Sequence, residues 1–231
     1  MKNTFIKIIP ILFLSFSVSM TYAQTDTLKK TYYWDGKLET MGNRNTEGNK
    51  IGTWTTYYEN GKTKSIENFI DGKKDGENKT FYENGNIMKL ENHKQGNLHG
   101  DQIDYHENGN IYWQKKYIYD IQCDCSKQEG YDKIYNTSGQ LISANIYKNG
   151  LQEGESKSFY DNGKLRSITI NKKNWRISQK NYNENGTLSG SFLYDESGRP
   201  HGEHKYFDND GKLKKITTYF HGNATKSNNF K

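Results

Sequence analysis

The chain has 231 residues and a formal net charge of +6, with only 32% apolar residues but 18 Tyr and 22 Gly against 2 Pro. So few apolar residues exclude a large buried core, and so many aromatics exclude a disordered chain. The positive charge is diffuse and carried by lysine, with arginine only at Arg44, Arg166, Arg176 and Arg199, so a nucleic-acid binder is not expected.

At the start, Lys2 and Lys7 accompany the apolar stretch "FIKIIPILFLSFSVSM", and "TYA" at Thr21–Ala23 offers a small-residue cleavage site. This pattern predicts a secretory signal peptide over residues 1–23 and a periplasmic, extracellular or cell-surface location. The unbroken apolar run is shorter than the ~20 residues of a membrane span. No later stretch is apolar enough to cross.

From residue 24 to 226 one pattern repeats. A turn glycine recurs at Gly36, Gly61, Gly85, Gly109, Gly139, Gly163, Gly186 and Gly211, spaced 23 to 25 residues apart except for one gap of 30. Nine residues earlier stands a second glycine: Gly52, Gly76, Gly100, Gly130, Gly154 and Gly202, with Ile177 in that slot of the most eroded unit. An aromatic precedes every turn, from Tyr32 and Tyr57 to the Tyr206–Phe207 pair. Aliphatic residues follow two positions after it, as at Leu38, Ile87 and Leu165, and mostly aromatic ones eight positions after, as at Phe69 and Tyr117. Each unit reads as a β-hairpin, with Asn-Gly supplying the positive φ angles of a tight turn. Glycine about every dozen residues excludes helices. The apolar positions at two, five and eight after the turn break strict alternation, which a bulge in the second strand would explain.

One unit buries too few side chains to offset its backbone entropy, so neighbours must stack. The expected fold is all-β: an elongated, twisted, single-layer antiparallel sheet of about seven to eight hairpins. A loop insertion is expected near 120–129 and a disordered tail over 227–231.

"GENKTFYENGNI" (Gly76–Ile87), "GESKSFYDNGKL" (Gly154–Leu165) and "GTWTTYYENGKT" (Gly52–Thr63) resemble the MORN-repeat family in its bacterial G-x-x-x-x-[FY]-Y-x-N-G-x-[LI] variant, the YwqK-type, antitoxin-labelled group. The resemblance runs from about Thr31 to Gly222 and departs at "YNTSG" (Tyr135–Gly139) and around Ile177–Gly186. It implies an open sheet of hairpins that binds protein or membrane surfaces and performs no chemistry of its own.

Other constellations are sparse. Cys123 and Cys125 admit a disulfide, a pair of free or partner-bonded thiols, or a soft-metal site, although no nearby His completes a tetrahedron. The histidines occupy repeat slots and read as turn or sheet-face residues. Glu59, Glu83, Glu107, Asp161 and Glu184 precede their turn glycines by two and form a solvated edge. No catalytic residue, metal or cofactor is expected, since the glycines are explained by turns and no nucleophile or nucleotide motif occurs. The aromatic columns either pack between repeats or leave one ladder exposed. In the second case Trp54, Tyr58, Tyr82, Trp113 and Tyr160 are the candidate partner-binding residues, with Trp34 and Trp175 as further exposed indoles. The function expected is an exported, non-enzymatic scaffold for an unidentified protein partner, with an antitoxin- or immunity-like role among its readings. The alternative is a surface module for envelope polysaccharide or lipid headgroups.

Overall fold

The computed structural model describes residues 27–231, so the expected signal peptide over 1–23 lies outside the described residues. They form one 19-stranded antiparallel sheet. Eight hairpins succeed one another: β1 (Thr27–Tyr32) with β2 (Leu38–Arg44), β3 (Lys50–Tyr57) with β4 (Thr63–Ile70), β6 (Gly76–Phe81) with β7 (Ile87–Lys94), β8 (Asn97–Tyr105) with β9 (Ile111–Asp120), β10 (Cys125–Tyr135) with β11 (Leu141–Lys148), β13 (Gly154–Phe159) with β14 (Leu165–Lys172), β15 (Trp175–Tyr182) with β16 (Leu188–Leu193), and β17 (Gly202–Phe207) with β18 (Leu213–Phe220). Two-residue strands β5 (Lys73–Lys74) and β12 (Leu151–Gln152) lead into β6 and β13, and β19 (Asn223–Asn229) closes the array. The sheet is open, with β1 paired only to β2 and β19 only to β18.

The glycine turns are three-residue loops. In the unit around Gly85, the Gly85 N–H donates to Tyr82 O at 2.9 Å and the Tyr82 N–H to Asn86 O at 2.8 Å. Only the glycine is left-handed there (φ 98°), and Asn84 instead accepts the Asn86 N–H on Oδ1 at 2.8 Å. The expectation that Asn-Gly jointly supplies positive φ is therefore corrected. Two successive left-handed residues belong to the other turn of the unit, as at Asp71–Gly72, Gln95–Gly96 and Asn149–Gly150.

Directly after every glycine turn one residue of the second strand is skipped. Phe81 pairs with Ile87 and Thr80 with Lys89, leaving Met88 unopposed. The same bulge omits Tyr112 and Arg166 in their hairpins. It reverses the alternation of the strand. Residues two and five after the glycine (Ile87, Leu90) thus join Phe81 on one face, while the residue eight after it, His93, lies opposite Gly76 on the other. The sheet has a face of turn-flanking aromatics and aliphatics and a second, predominantly polar face that also carries Phe69, Tyr117 and Tyr147.

The polar face holds the most buried row. Trp54, Asn78, Gln102, Asp132, Ser156 and His204 occupy one repeat position, two residues after the unit-opening glycine, and all are buried. Trp54 and Phe69 are the only apolar residues buried among those described. The polar ones compensate a kink in the backbone. At Gly76 (φ 94°) the chain bends, the Asp75 N–H reaches Asn68 O at 2.9 Å, and Asn78 Oδ1 accepts the Asn68 N–H at 2.8 Å. Trp54 Nε1 donates to Asn43 O at 3.0 Å, and His204 Nε2 bonds Leu193 O at 2.7 Å, at the same place in their own units. A single-layer sheet has no second layer to bury its kinks, so side chains satisfy them.

Two expectations are corrected. The extra residues near 120–129 do not form a loose loop; they lengthen β9 and β10, paired from Cys125–Asp120 to Gln128–Tyr117, so only residues 121–124 turn. The stretch expected to be a disordered tail, 227–231, carries β19 to Asn229, and the Phe230 N–H donates to Lys214 O at 2.8 Å.

Candidate functional site

The expected partner-binding tyrosines are stitches between units. Tyr58 donates its hydroxyl to Phe81 O at 2.6 Å, Tyr82 to Tyr105 O at 2.6 Å and Tyr160 to Tyr182 O at 2.7 Å, each one repeat ahead. Tyr33 does the same to Tyr57 O at 2.6 Å, and His106 Nε2 takes the role toward Tyr135 O at 3.1 Å. Where the slot holds Asn136 or Asp208, the side chain accepts N–H groups of its own turn. These hydroxyl bonds join the column across repeats, as in the packing reading of the aromatic columns.

The tryptophans divide. Trp54 is 5% exposed, with its indole laid over Gly42 and Lys50 Nζ 4.5 Å from the ring centroid. Trp113 is half-buried, donates Nε1–H to Asp132 Oδ1 and carries Lys115 Nζ 3.1 Å over its ring. Burial lowers the Lys115 ammonium pKa, against the pull of Asp132. Trp34 (93% exposed) and Trp175 (52%) remain open.

Cys123 and Cys125 are disulfide-bonded, at the tip of the lengthened hairpin. Asp124 between them accepts the Tyr119 hydroxyl at 2.8 Å and Asn97 Nδ2 at 3.2 Å, fastening this tip to the preceding unit. The tip carboxylates Glu59, Glu83, Glu107, Asp161 and Glu184 are all exposed. Among the described residues no three His, Cys, Asp or Glu side chains gather to hold a metal ion.

What departs from the repeat lies in the fifth to seventh hairpins, on both faces. On the aliphatic face, Ile146, Ile170 and Leu193 stand seven residues after their turn glycines and are 45%, 38% and 47% exposed. The other units hold Asn43, Asn68, Asn92, Lys116 and Thr218 there. Ser178 pairs with Ile170 on one side and Leu193 on the other, so the two aliphatics flank a single serine across β14, β15 and β16. A shallow cavity of about 280 Å³ opens beside them, lined by Ile168, Ile170, Ser178 and Tyr182. Tyr131 pairs with Ile146, and burial followed by the Asp101 carboxylate pushes its phenol up to about 12. On the polar face two cavities, of about 210 and 380 Å³, adjoin through Ser158 and Ser167.

Residues 50–71, 74–95, 98–117, 152–170 and 200–221 match the MORN repeat variant model. Five of the units thus resemble the MORN repeat variant. The same hairpin is also built at Gly36, Gly139 and Gly186, outside the matched stretches, with the same turn bonds. The two gaps in the MORN match, at 118–151 and 171–199, contain Ile146 and Leu193. No curated protein matches the chain. Two solved structures, a TcdB2–TccC3–Cdc42 complex and a Photorhabdus luminescens Tc holotoxin pore, align with it at 11% and 12% identity over 85% and 87% of its length, with TM-scores of 0.23 and 0.21. The chain spans only 17% and 16% of those chains. Neither likeness bears on function. MORN repeats in general serve as protein- or membrane-binding modules.

Proposed function

We propose that the chain is an exported, non-enzymatic scaffold that binds a protein partner on its aliphatic face, over Ile146, Ile170 and Leu193. The observation that carries this reading is the row itself: three large aliphatics stay exposed where the other units place polar side chains. Exposed apolar groups aligned on a rigid support favour association with a complementary surface. Export rests on the sequence pattern of residues 1–23. An immunity-like role is the case in which the partner is a toxin met outside the cytoplasm.

A photo-crosslinking residue placed at Ser178 tests the docking row in the exporting cell. The expected result is one stoichiometric adduct that disappears with Ile170→Glu and persists with Ile170→Val. An adduct indifferent to Ile170→Glu overturns the assignment. Recovery of the chain from the cell envelope with residue 24 as its N-terminus tests export.

A further inference from the structure

The polar face of the same units carries a groove that the docking row does not use. In three hairpins the residues beside the turn on this face are bulky: Thr80 and Lys89, Asp104 and Trp113, Tyr206 and Lys215 pair there. In the sixth hairpin Ser158 pairs with Ser167, and Ser143 lies across from Ser158 in the hairpin before. Small side chains leave the two adjoining cavities, which run from β11 to β16. At about 4.8 Å per strand the groove is roughly 20 Å long.

Its floor holds unused hydrogen-bonding capacity. Asn171 is 6% exposed and donates through Nδ2 to Ser156 Oγ at 2.9 Å, while its Oδ1 accepts from no group among the described residues. Ser156, 8% exposed, accepts from Asn171 Nδ2 and from Gln152 Nε2 at 2.8 Å, and its own hydroxyl proton goes to no protein acceptor. Both residues line the smaller cavity. An acceptor beside a donor is the complement of a hydroxyl group, which offers one of each.

The rim is cationic. Arg176 lines the smaller cavity and Arg166 the larger. Neither forms an ion pair among the described residues; Arg166 rests against the Tyr160 ring and Arg176 against the Tyr194 ring, at 5.9 and 5.4 Å. Two of the four arginines of the chain thus flank one groove of hydroxyls and amides. Guanidinium groups braced on aromatic rings present planar forks suited to carboxylates.

We propose that this groove binds an acidic polysaccharide, its hydroxyls engaging Ser156 and Asn171 and its carboxylates Arg166 and Arg176. A peptide strand would require apolar side-chain pockets, which the lining lacks. A nucleic acid would require a longer cationic track with exposed stacking platforms.

Calorimetric titration of the full mature chain with polygalacturonate, and with the same polymer after reduction of its carboxyl groups, tests the proposal. The acidic polymer is expected to bind, the reduced polymer to bind roughly tenfold or more weakly, and Arg166→Gln with Arg176→Gln to remove that difference. Both arginines are exposed, so these variants keep the fold. Asn171→Ala is expected to weaken both polymers alike, and Arg199→Gln and Ile170→Glu to change neither. Absence of polygalacturonate binding, equal binding of the two polymers, or binding indifferent to the double arginine variant overturns the proposal. Tighter binding of anionic vesicles or of single-stranded DNA through the same arginines overturns the saccharide assignment in favour of a lipid or a nucleic acid. Failure here leaves the aliphatic docking row untouched, because that row lies on the opposite face.

Discussion

Asn78 accepts the backbone N–H of Asn68 on its side-chain oxygen, at 2.8 Å, from the neighbouring strand. The bond repairs the ladder where Gly76 kinks it. Asn78 is 4% exposed, so removing its amide leaves a buried N–H without a partner. Asn78→Ala is expected to destabilise the chain by about 1–3 kcal/mol and to abolish hydrogen-exchange protection at Asn68. Retained protection at that amide would show that something else holds the kink.

The tyrosine stitches predict coupling between units. Tyr82→Phe deletes the bond from the hydroxyl to Tyr105 O and little else, so a loss of about 0.5–1.5 kcal/mol is expected. In a repeat array such a loss appears first as local opening. Faster exchange confined to the turns at Gly85 and Gly109 is the expected signature; uniform acceleration across the sheet contradicts it.

Gly42 is required by contact rather than by backbone angle. A Cβ there would overlap the Trp54 indole. Gly42→Ala is expected to displace the ring toward water at about 1–3 kcal/mol. A red shift of tryptophan emission, absent when the change is made in a Trp54→Phe background, checks this.

Acid should loosen the third hairpin. Asn78 Nδ2 donates to His93 Nδ1 at 3.0 Å, which requires a neutral ring, and burial lowers the His93 pKa below its ordinary value of 6.5. The folded state therefore binds a proton less readily than the unfolded one. The stabilisation is present above pH 6.5 and is lost as pH falls below it. His93→Phe, which copies Phe69 in the equivalent slot, is expected to flatten stability between pH 7 and 5 in thermal melts. An unchanged pH slope would rule out His93 as the source.

The open sheet predicts an extended particle. Strands about 4.8 Å apart place eight hairpins over roughly 75 Å, whereas a compact chain of this size has a radius of gyration near 17 Å. Small-angle scattering should return a value well above the compact one.

Much of this was legible in the residues. Glycine at positive φ has few substitutes, so Gly85 and its seven equivalents mark the turns without any structure. The spacing of two, five and eight after each turn announced a bulge, and Met88 and its equivalents supply it. The packing of Trp54 and Tyr58 was left open for a physical reason: whether an aromatic faces water depends on what lies one strand away, Gly42 in one case and Phe81 O in the other. The tail was misjudged because "NATKSNN" has no apolar pattern, and β19 forms by backbone bonding to an exposed edge that β18 provides.

The amino-acid sequence by itself determined the hairpin, its period and the number of copies, because turn chemistry is local and each unit repeats it. Which side chains meet was decided only when the units were laid side by side. Ile146, Ile170 and Leu193 are single aliphatics far apart in the chain, and Ser156 and Asn171 are ordinary polar residues. Register and the bulge place the first three on one face and the last two on the floor of a groove on the other. In a single-layer sheet, contacts between residues a full repeat apart arise from strand pairing alone, and pairing is a property of the assembled array.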